Sequence, residues 1–270
     1  MADKLISRMV VQPGSKFSIK RRDPDETFGW DKDTAKSELA ALHPQIVELQ
    51  QRLAAEHQRS LLIVLQAMDA CGKDGTIRAV FGALNPAGVK VVSFKAPAGH
   101  ELDHDYLWRV HAVTPARGEI AVWNRSHYED VLVVRVHRLI ARNKLALRYR
   151  HIREFERLLV DEGTRVVKIN LHVSFDEQRL RLQDRIDDPL ERWKFRVGDL
   201  ADRKLWPEFM KAYEVAMNET STDVAPWYVV PGNKKWVRNL GVARILLHEL
   251  KALDPRLPPD DPAIAGLIVV

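Results

Sequence analysis

The sequence predicts an α/β fold, a parallel sheet with helices on both faces. Three observations carry this. Short, continuously apolar runs of strand length recur along the chain. Stretches with apolar residues three and four positions apart separate them, the spacing of an amphipathic helix. One run, Leu61–Leu65, passes through a Gly-Lys turn straight into a helical stretch. Unbroken apolar strands alternating with helices belong in a sheet covered on both sides.

The N-terminal stretch to about Asp31 is polar, with Pro13, Gly14, Pro24 and Gly29, and is expected to lie over the domain as an extended arm. From Asp33 to His57, Leu39, Leu42, Ile46, Leu49 and Leu53 mark a helix. Ser60–Gln66 is a strand, followed by the turn and a helix from Lys73 to Leu84. Val89–Phe94 is a second strand. Glu101–Val113 reads as a helix with Leu102, Tyr106, Val110 and Val113 on one face. Glu119–Trp123 is a strand, Asn143–Glu162 a long helix, Val166–Val173 a strand, Trp227–Val230 a last strand and Lys235–Ala252 a last helix. The tail after Asp254 is proline-rich and is expected to be loosely held.

One segment breaks the alternation. Ser174 to about Tyr213 is helical and dense in cations: Arg179, Arg181, Arg185, Arg192, Lys194, Arg196, Arg203 and Lys204. Acidic residues are interleaved, so a solvated helix pair laced by salt bridges is one reading. A cationic lid over an anionic substrate is the other. The whole chain is expected to be one domain over 1–270, with the arm at about 1–31 and the lid at about 174–213.

Composition narrows the function. Apolar residues at 46% and charged residues at 29% fit a soluble globular chain of 270 residues. No apolar run approaches the roughly 18 to 20 residues of a membrane span. Met1 to Arg8 lacks the apolar core of a secretory signal, and the expected compartment is the cytoplasm. The lone Cys71 excludes a disulfide framework and a cysteine-rich zinc site. A net charge of +5 suits an acidic partner: nucleic acid, anionic lipid or a phosphate-rich small molecule.

The turn Gln66–Thr76 narrows it further. Strand, Gly-Lys turn and helix start form the context of a phosphate-cradling loop. Backbone N–H groups and the helix dipole face the anion. Ala70, Gly72, Asp74, Gly75 and Thr76 are the expected phosphate contacts, and Lys73 supplies a point charge to the transferring group. The usual G-x-x-x-x-G-K-[ST] pattern is imperfect. Ala67 stands where the first Gly would be, and Asp74 replaces the hydroxyl residue that normally binds Mg²⁺. Asp69, a carboxylate among phosphate oxygens, is therefore a candidate Mg²⁺ ligand. The plainer alternative is that it caps the turn.

The strand ending at Trp123 runs into Asn124-Arg125-Ser126-His127-Tyr128-Glu129-Asp130. Catalytic groups of open parallel sheets sit at such strand ends. Arg125 can clamp phosphate in two-pronged fashion. Glu129 and Asp130 could hold metal or orient the acceptor, and Asp69 with Asp130 is the expected metal pair. His127 and Cys71 read as structural residues rather than nucleophiles.

These residues resemble the polyphosphate kinase 2 family, most closely its class III branch. The resembling segments are Val11–Gly14, LQAMDACGKDGTIR from Leu65, DYLWRVH from Asp105, NRSHYEDVLVVRV from Asn124, YRHIREFE from Tyr149, RWKFRVGDL from Arg192 and ETSTDVAPWYVVP from Glu219. They span nearly the whole chain. The resemblance implies a thymidylate-kinase-like, three-layer P-loop kinase fold with a helical lid. It implies Mg²⁺- or Mn²⁺-dependent phosphoryl transfer between polyphosphate and nucleotides, AMP and ADP typically. It implies catalytic roles for Asp69, Lys73, Arg125 and Asp130, and binding roles for Asn124, Glu129, Arg179, Arg185, Lys194 and Arg196. It further implies a homo-oligomer, dimer or tetramer; the residues themselves, with no RNA-binding aromatic signature and no membrane-length apolar run, predict no nucleic-acid or membrane partner. Two positions depart from many relatives: Cys71, where Gly is common, and Asn124, where Asp is common in other branches. The competing readings are an ATP-dependent nucleoside monophosphate kinase and a non-catalytic polyanion-binding protein.

Overall fold

The computed structural model describes residues 2–264 and 266–269. The arm is not simply extended. Ala2–Met9 forms a helix (α1) whose Ile6 and Met9 are buried, and Val10–Val11 forms a short strand (β1). A helical face at 6 and 9 gives the arm an apolar anchor, and an open sheet edge gives it a hydrogen-bonding partner. Beyond Val11 the arm runs without an α-helix until Asp31, whose carboxylate accepts from Asp33 N and Thr34 N and starts the helix Lys32–Glu56 (α2).

Ser60–Gln66 (β2) is buried along its whole length and enters Lys73–Phe81 (α3). Val89–Ser93 (β3) follows. The helix expected over 101–113 is only the short Trp108–His111 (α4), preceded by a 3₁₀ turn at Gly99–Asp103. The Asp105 carboxylate accepts from Leu107 N and breaks the run into two pieces. Ile120–Asn124 (β4) leads into Glu129–Val136 (α5), whose β-branched residues carry no plain helical signal. Then come Arg142–Asp161 (α6), Thr164–His172 (β5), Phe175–Asp187 (α7), Val197–Lys204 (α8), Trp206–Thr220 (α9), Trp227–Pro231 (β6) and Lys235–Leu253 (α10).

Among the described residues, six strands form one sheet in the order β1-β6-β5-β2-β4-β3, parallel except for β1 against β6. Helices α1, α2, α3 and α10 pack together on one face; α5, α6 and α9 pack together on the other. The result is the expected three-layer α/β fold. Its core lies in β2, β4, β5 and β6, with Trp123 and Trp227 among the largest fully enclosed side chains. Each such aliphatic or aromatic group contributes about 1.5–3 kcal/mol by burial. β3, at the sheet edge, is the exception: Val91 is exposed.

β2 sits between β4 and β5, so the chain leaves β2 toward one edge and returns to its other side. That reversal opens a crevice at the C-terminal ends of the central strands. No helix of the described residues is long and apolar enough to cross a membrane. Of the cation-rich segment, α7 and α8 overhang the crevice. α9 turns a buried face, including Phe209, Ala212, Tyr213 and Met217, onto α5 and α6.

Candidate active site

The loop between β2 and α3 folds as a tight nest. Ala70 has φ 64° and Gly72 φ 94°, both left-handed. Position 72 favours glycine because its φ is left-handed, and the guanidinium of Arg238 from α10 occupies the space that a Cβ would take. Lys73 opens α3 and folds back, its Nζ donating to the carbonyls of Ala67 (2.8 Å) and Met68 (3.2 Å). Thr76 is fully buried and donates to Gly72 O at 3.0 Å, so it braces the turn from within.

The turn after β4 meets this loop. Arg125 also has φ 64°, a conformation costing on the order of 1 kcal/mol or more for a non-glycine residue. Its N–H donates to Leu65 O at 3.0 Å, and its guanidinium pairs directly with the Asp69 carboxylate. Asn124 Nδ2 donates to Asp74 Oδ1 at 2.6 Å. Gln66 Nε2 donates to Glu129 Oε1 at 3.0 Å, which turns Glu129 toward the loop. From α7, Gln178 donates to Asp69 O at 2.9 Å and ties the overhanging helix to the nest.

A cavity of about 710 Å³ opens over these residues. Asp69, Ala70, Gly72, Lys73, Asp74 and Gly75 form its floor, with Asn124 and Arg125 beside them. Arg185, Lys194 and Arg196 reach it from the cation-rich segment. Lys194 is held by Glu191 at 2.6 Å. Eleven of the expected positions thus share one cavity. Four do not line it. Thr76 is buried beneath, Glu129 lies behind Gln66, and Arg179 is exposed on the outer face of α7.

The fourth, Asp130, corrects an expectation. Its carboxylate faces Arg148 at 3.4 Å and Arg109 at 3.9 Å, away from the cavity. Successive residues on a helix point about 100° apart, so Glu129 and Asp130 at the start of α5 cannot both face the loop. Asp130 is not placed to share a metal with Asp69.

Electrostatics distinguish the remaining groups. Burial pushes the Asp69 carboxyl up, but Lys73 and Arg125 outweigh it and hold the group below the ordinary carboxylate range. Burial pulls the Lys73 ammonium down against the attraction of Asp69. Burial raises Glu129 against the pull of Arg125. Cys71 is buried, and its thiol is pushed up to about 11 by that burial, so it is no nucleophile at neutral pH. His127 is fully enclosed among Trp123, Tyr128 and Phe155.

The donor set fits a magnesium-type cation. Asp69 is an ionised oxygen donor on the cavity floor, ringed by cations that attract phosphate. Mg²⁺ characteristically takes one or two carboxylates, several waters and substrate phosphate oxygens. Arg181, one of the cations of the expected lid, also lines the wall, and further groups there had no local signal in the sequence: Arg78, Lys95, Asp199 from α8, and Arg238.

A glycine–lysine turn at the switch point of a parallel sheet, facing a strand-end arginine and overhung by cations, defines a P-loop phosphotransferase of the nucleotide-kinase type. The chain belongs to the polyphosphate kinase 2 family, whose model, described as "Polyphosphate kinase 2 (PPK2)", matches residues 29–258. It is 53% identical over 261 residues to the AMP/ADP-polyphosphate phosphotransferase of Meiothermus ruber, covering 96% of this chain and 98% of that protein. It is 43% identical over 231 residues to the ADP-polyphosphate phosphotransferase of Rhodopseudomonas palustris, covering 81% and 80%. The crystal structure of polyphosphate kinase 2 from Arthrobacter aurescens TC1 superposes with a TM-score of 0.93 at 43% identity, covering 97% of this chain and 94% of that one.

Proposed function

We propose that this chain transfers phosphoryl groups from inorganic polyphosphate to nucleoside mono- and diphosphates, reversibly, forming ATP from AMP and ADP with Mg²⁺, or Mn²⁺ in its place. One observation carries the reading: Asp69, Lys73 and Arg125 meet on the floor of the cavity that Arg185, Lys194 and Arg196 overhang. The activities for which the Meiothermus ruber and Rhodopseudomonas palustris relatives are named support it.

The chemistry is a displacement at phosphorus. An acceptor phosphate oxygen forms a bond to the terminal phosphorus of polyphosphate while the bridging P–O bond breaks. The leaving oxygen keeps the electron pair. Such transfers depend on positioning and charge neutralisation. The α3 N-terminus receives phosphate oxygens, Lys73 supplies a charge once its amine exchanges the carbonyls of Ala67 and Met68 for them, and Arg125 offers a planar fork. Asp69 would hold the metal, which when bound neutralises charge between the two phosphate chains. Closure of α7 and α8 over the cavity excludes water and suppresses hydrolysis. The carboxylate among the cations favours this reading over plain polyanion binding, because binding alone has no use for a metal ligand.

The test is incubation with long-chain polyphosphate, Mg²⁺ and either AMP or ADP, followed by measurement of ATP. ATP is expected from both. Failure with both in a folded sample would overturn the proposal. Conversion of AMP with ATP alone, at comparable rate and without polyphosphate, would favour an ordinary nucleoside monophosphate kinase. The family resemblance also implies a homo-oligomer, dimer or tetramer, which light scattering on the purified chain would test.

A further inference from the structure

The inner wall of the cavity holds two buried guanidiniums. Arg238 reaches across from α10 and lies flat against the glycine turn. It fills the space that a Cβ on Gly72 would need, and its Nη2 stands 3.3 Å from where a Cβ on Gly75 would be. It is 3% exposed. Among the described residues its guanidinium donates only to its neighbour, Asn239 Oδ1, at 3.2 and 3.0 Å. No carboxylate answers it.

Arg181 comes from α7 and is 8% exposed. Its Nε donates to Glu177 Oε1 at 2.8 Å, and its Nη2 to the carbonyls of Gly232 (2.7 Å) and Asn233 (2.9 Å). Those bonds fix the side chain from behind. Its Nη1 is buried and has no partner. Burial first, and then the charge of Arg181, lower the Arg238 guanidinium to about 10, which places the two cations within each other's field. Both line the cavity.

Two neighbouring buried cations with one carboxylate between them are an unbalanced arrangement. A buried charge is costly unless it is paired, and like charges in one place add to that cost. A buried donor without an acceptor adds more. The first turn of α3 opens on the same wall, and its N-cap Gly72 makes no side-chain capping bond. The idle Nη1 of Arg181 and the unanswered guanidinium of Arg238 thus lack the same thing, an anion rich in acceptor oxygens, and the start of α3 opens beside them.

We propose that Arg181 and Arg238, together with the first turn of α3, form an inner subsite for one phosphoryl group of a phosphoanhydride chain. A phosphoryl group fits because its oxygens can take the idle Nη1 of Arg181, the fork of Arg238 and backbone N–H groups together. The carbonyl bonds behind Arg181 mean that it is aimed before ligand arrives. Gly72 follows from the same arrangement: its missing side chain lets Arg238 reach the phosphate loop. The group bound could belong to polyphosphate or to the nucleotide, since both present the same oxygens. The subsite rests on the phosphotransfer reading above.

Calorimetric titration with tripolyphosphate and, separately, with ADP tests it without turnover. Arg238→Met should weaken one of the two by tenfold or more while the unliganded protein melts no lower than wild type, since an unpaired buried charge has been removed. Loss confined to tripolyphosphate assigns the subsite to the donor, and loss confined to ADP assigns it to the nucleotide. Should Arg238→Met fail to fold, Arg238→Lys keeps the charge, removes the fork and should show the same loss. Affinities for both ligands within tenfold of wild type in the folded variant would overturn the subsite. Wild-type protein that binds tripolyphosphate but forms no ATP would overturn the phosphotransfer reading instead and leave the subsite standing.

Discussion

Charge is buried in two places in this molecule, and the two are built differently. Beneath the sheet, Lys168 of β5 donates to Glu156 Oε2 of α6 at 2.5 Å and to Thr220 O at 2.7 Å. The Tyr128 hydroxyl lies 2.8 Å from Glu156 Oε1 and 2.9 Å from Thr220 Oγ1, and Trp227 Nε1 donates to that same Oγ1 at 2.9 Å. One carboxylate answers one ammonium, with the His127 ring 3.5 Å from the same carboxylate and neutral groups around them. In the crevice above β2, by contrast, Arg125 pairs with Asp69 and Arg181 with Glu177, but Arg238 has no carboxylate partner among the described residues and Arg181 Nη1 is idle. A closed ionic knot joins β5, β6, α6 and α9 and has no room for a ligand. An open one spends stability to receive an anion. Burial does not separate structural charge from functional charge here; balance does.

The sharpest test is to remove a charge from each. In the crevice, Lys73→Ala should lower kcat by about 10²–10³-fold, the range for deleting one preorganised transition-state donor. Asp69→Asn should fall at least as far and also require more Mg²⁺ for half-maximal rate. Lys73→Ala should melt close to wild type, whereas Asp69→Asn should melt somewhat lower at neutral pH, because it removes the carboxylate that pairs with Arg125 and is held below its ordinary range. Steady-state kinetics with calorimetric melting reads this. A variant with near-normal turnover would remove its residue from the site.

In the knot the outcome should invert. Lys168→Met strands Glu156 and should cost about 3–5 kcal/mol, as loss of one partner of a buried pair does. Turnover per folded molecule should stay within a few-fold. Replacing Glu156 by Leu in the same chain should return part of the stability, since the stranded charge goes too. Urea unfolding of the two variants reads both effects. A Lys168→Met protein as stable as wild type would dissolve the contrast between the two regions.

How much of this was legible depends on how local each contact is. Lys73 and Gly72 could be found because strand, turn and helix start are consecutive in the chain. Arg125 could be found because it ends a strand beside that turn. Asp130 misled because adjacency in sequence is not adjacency on a helix: α5 sends Glu129 toward Gln66 and Asp130 toward Arg148. The same geometry sorts α7. Arg181 and Arg185 are four residues apart and share the cavity face, whereas Arg179 falls outside it. Arg238 was invisible because its contact with Gly72 joins residues from distant parts of the chain, and neither its neighbours nor its spacing sets it apart from any other helical arginine. The arm's helix carries little local signal because it is only eight residues long and proline and glycine follow it closely.

The smallest expected effect compares two glutamates. Glu129, behind the crevice, is raised above the ordinary carboxyl value of 4.5, chiefly by burial. Glu156, in the knot, is also penalised by burial, but Lys168 and, after it, His127 outweigh it and the group is lowered below 4.5. The signs therefore oppose. A raised carboxyl contributes stability below pH 4.5 and loses it as pH rises through the folded value. A lowered one contributes above 4.5 and loses it as pH falls. Glu129→Gln keeps the acceptor for Gln66 and removes the penalty. It should be slightly more stable than wild type at pH 8, with the gain vanishing as pH approaches 4.5. Glu156→Gln should be less stable at pH 8, with the deficit closing on acidification. Melting temperatures of both variants against wild type from pH 4 to 8 give two curves of opposite slope; parallel curves would mean that the crevice balances its charge as the knot does.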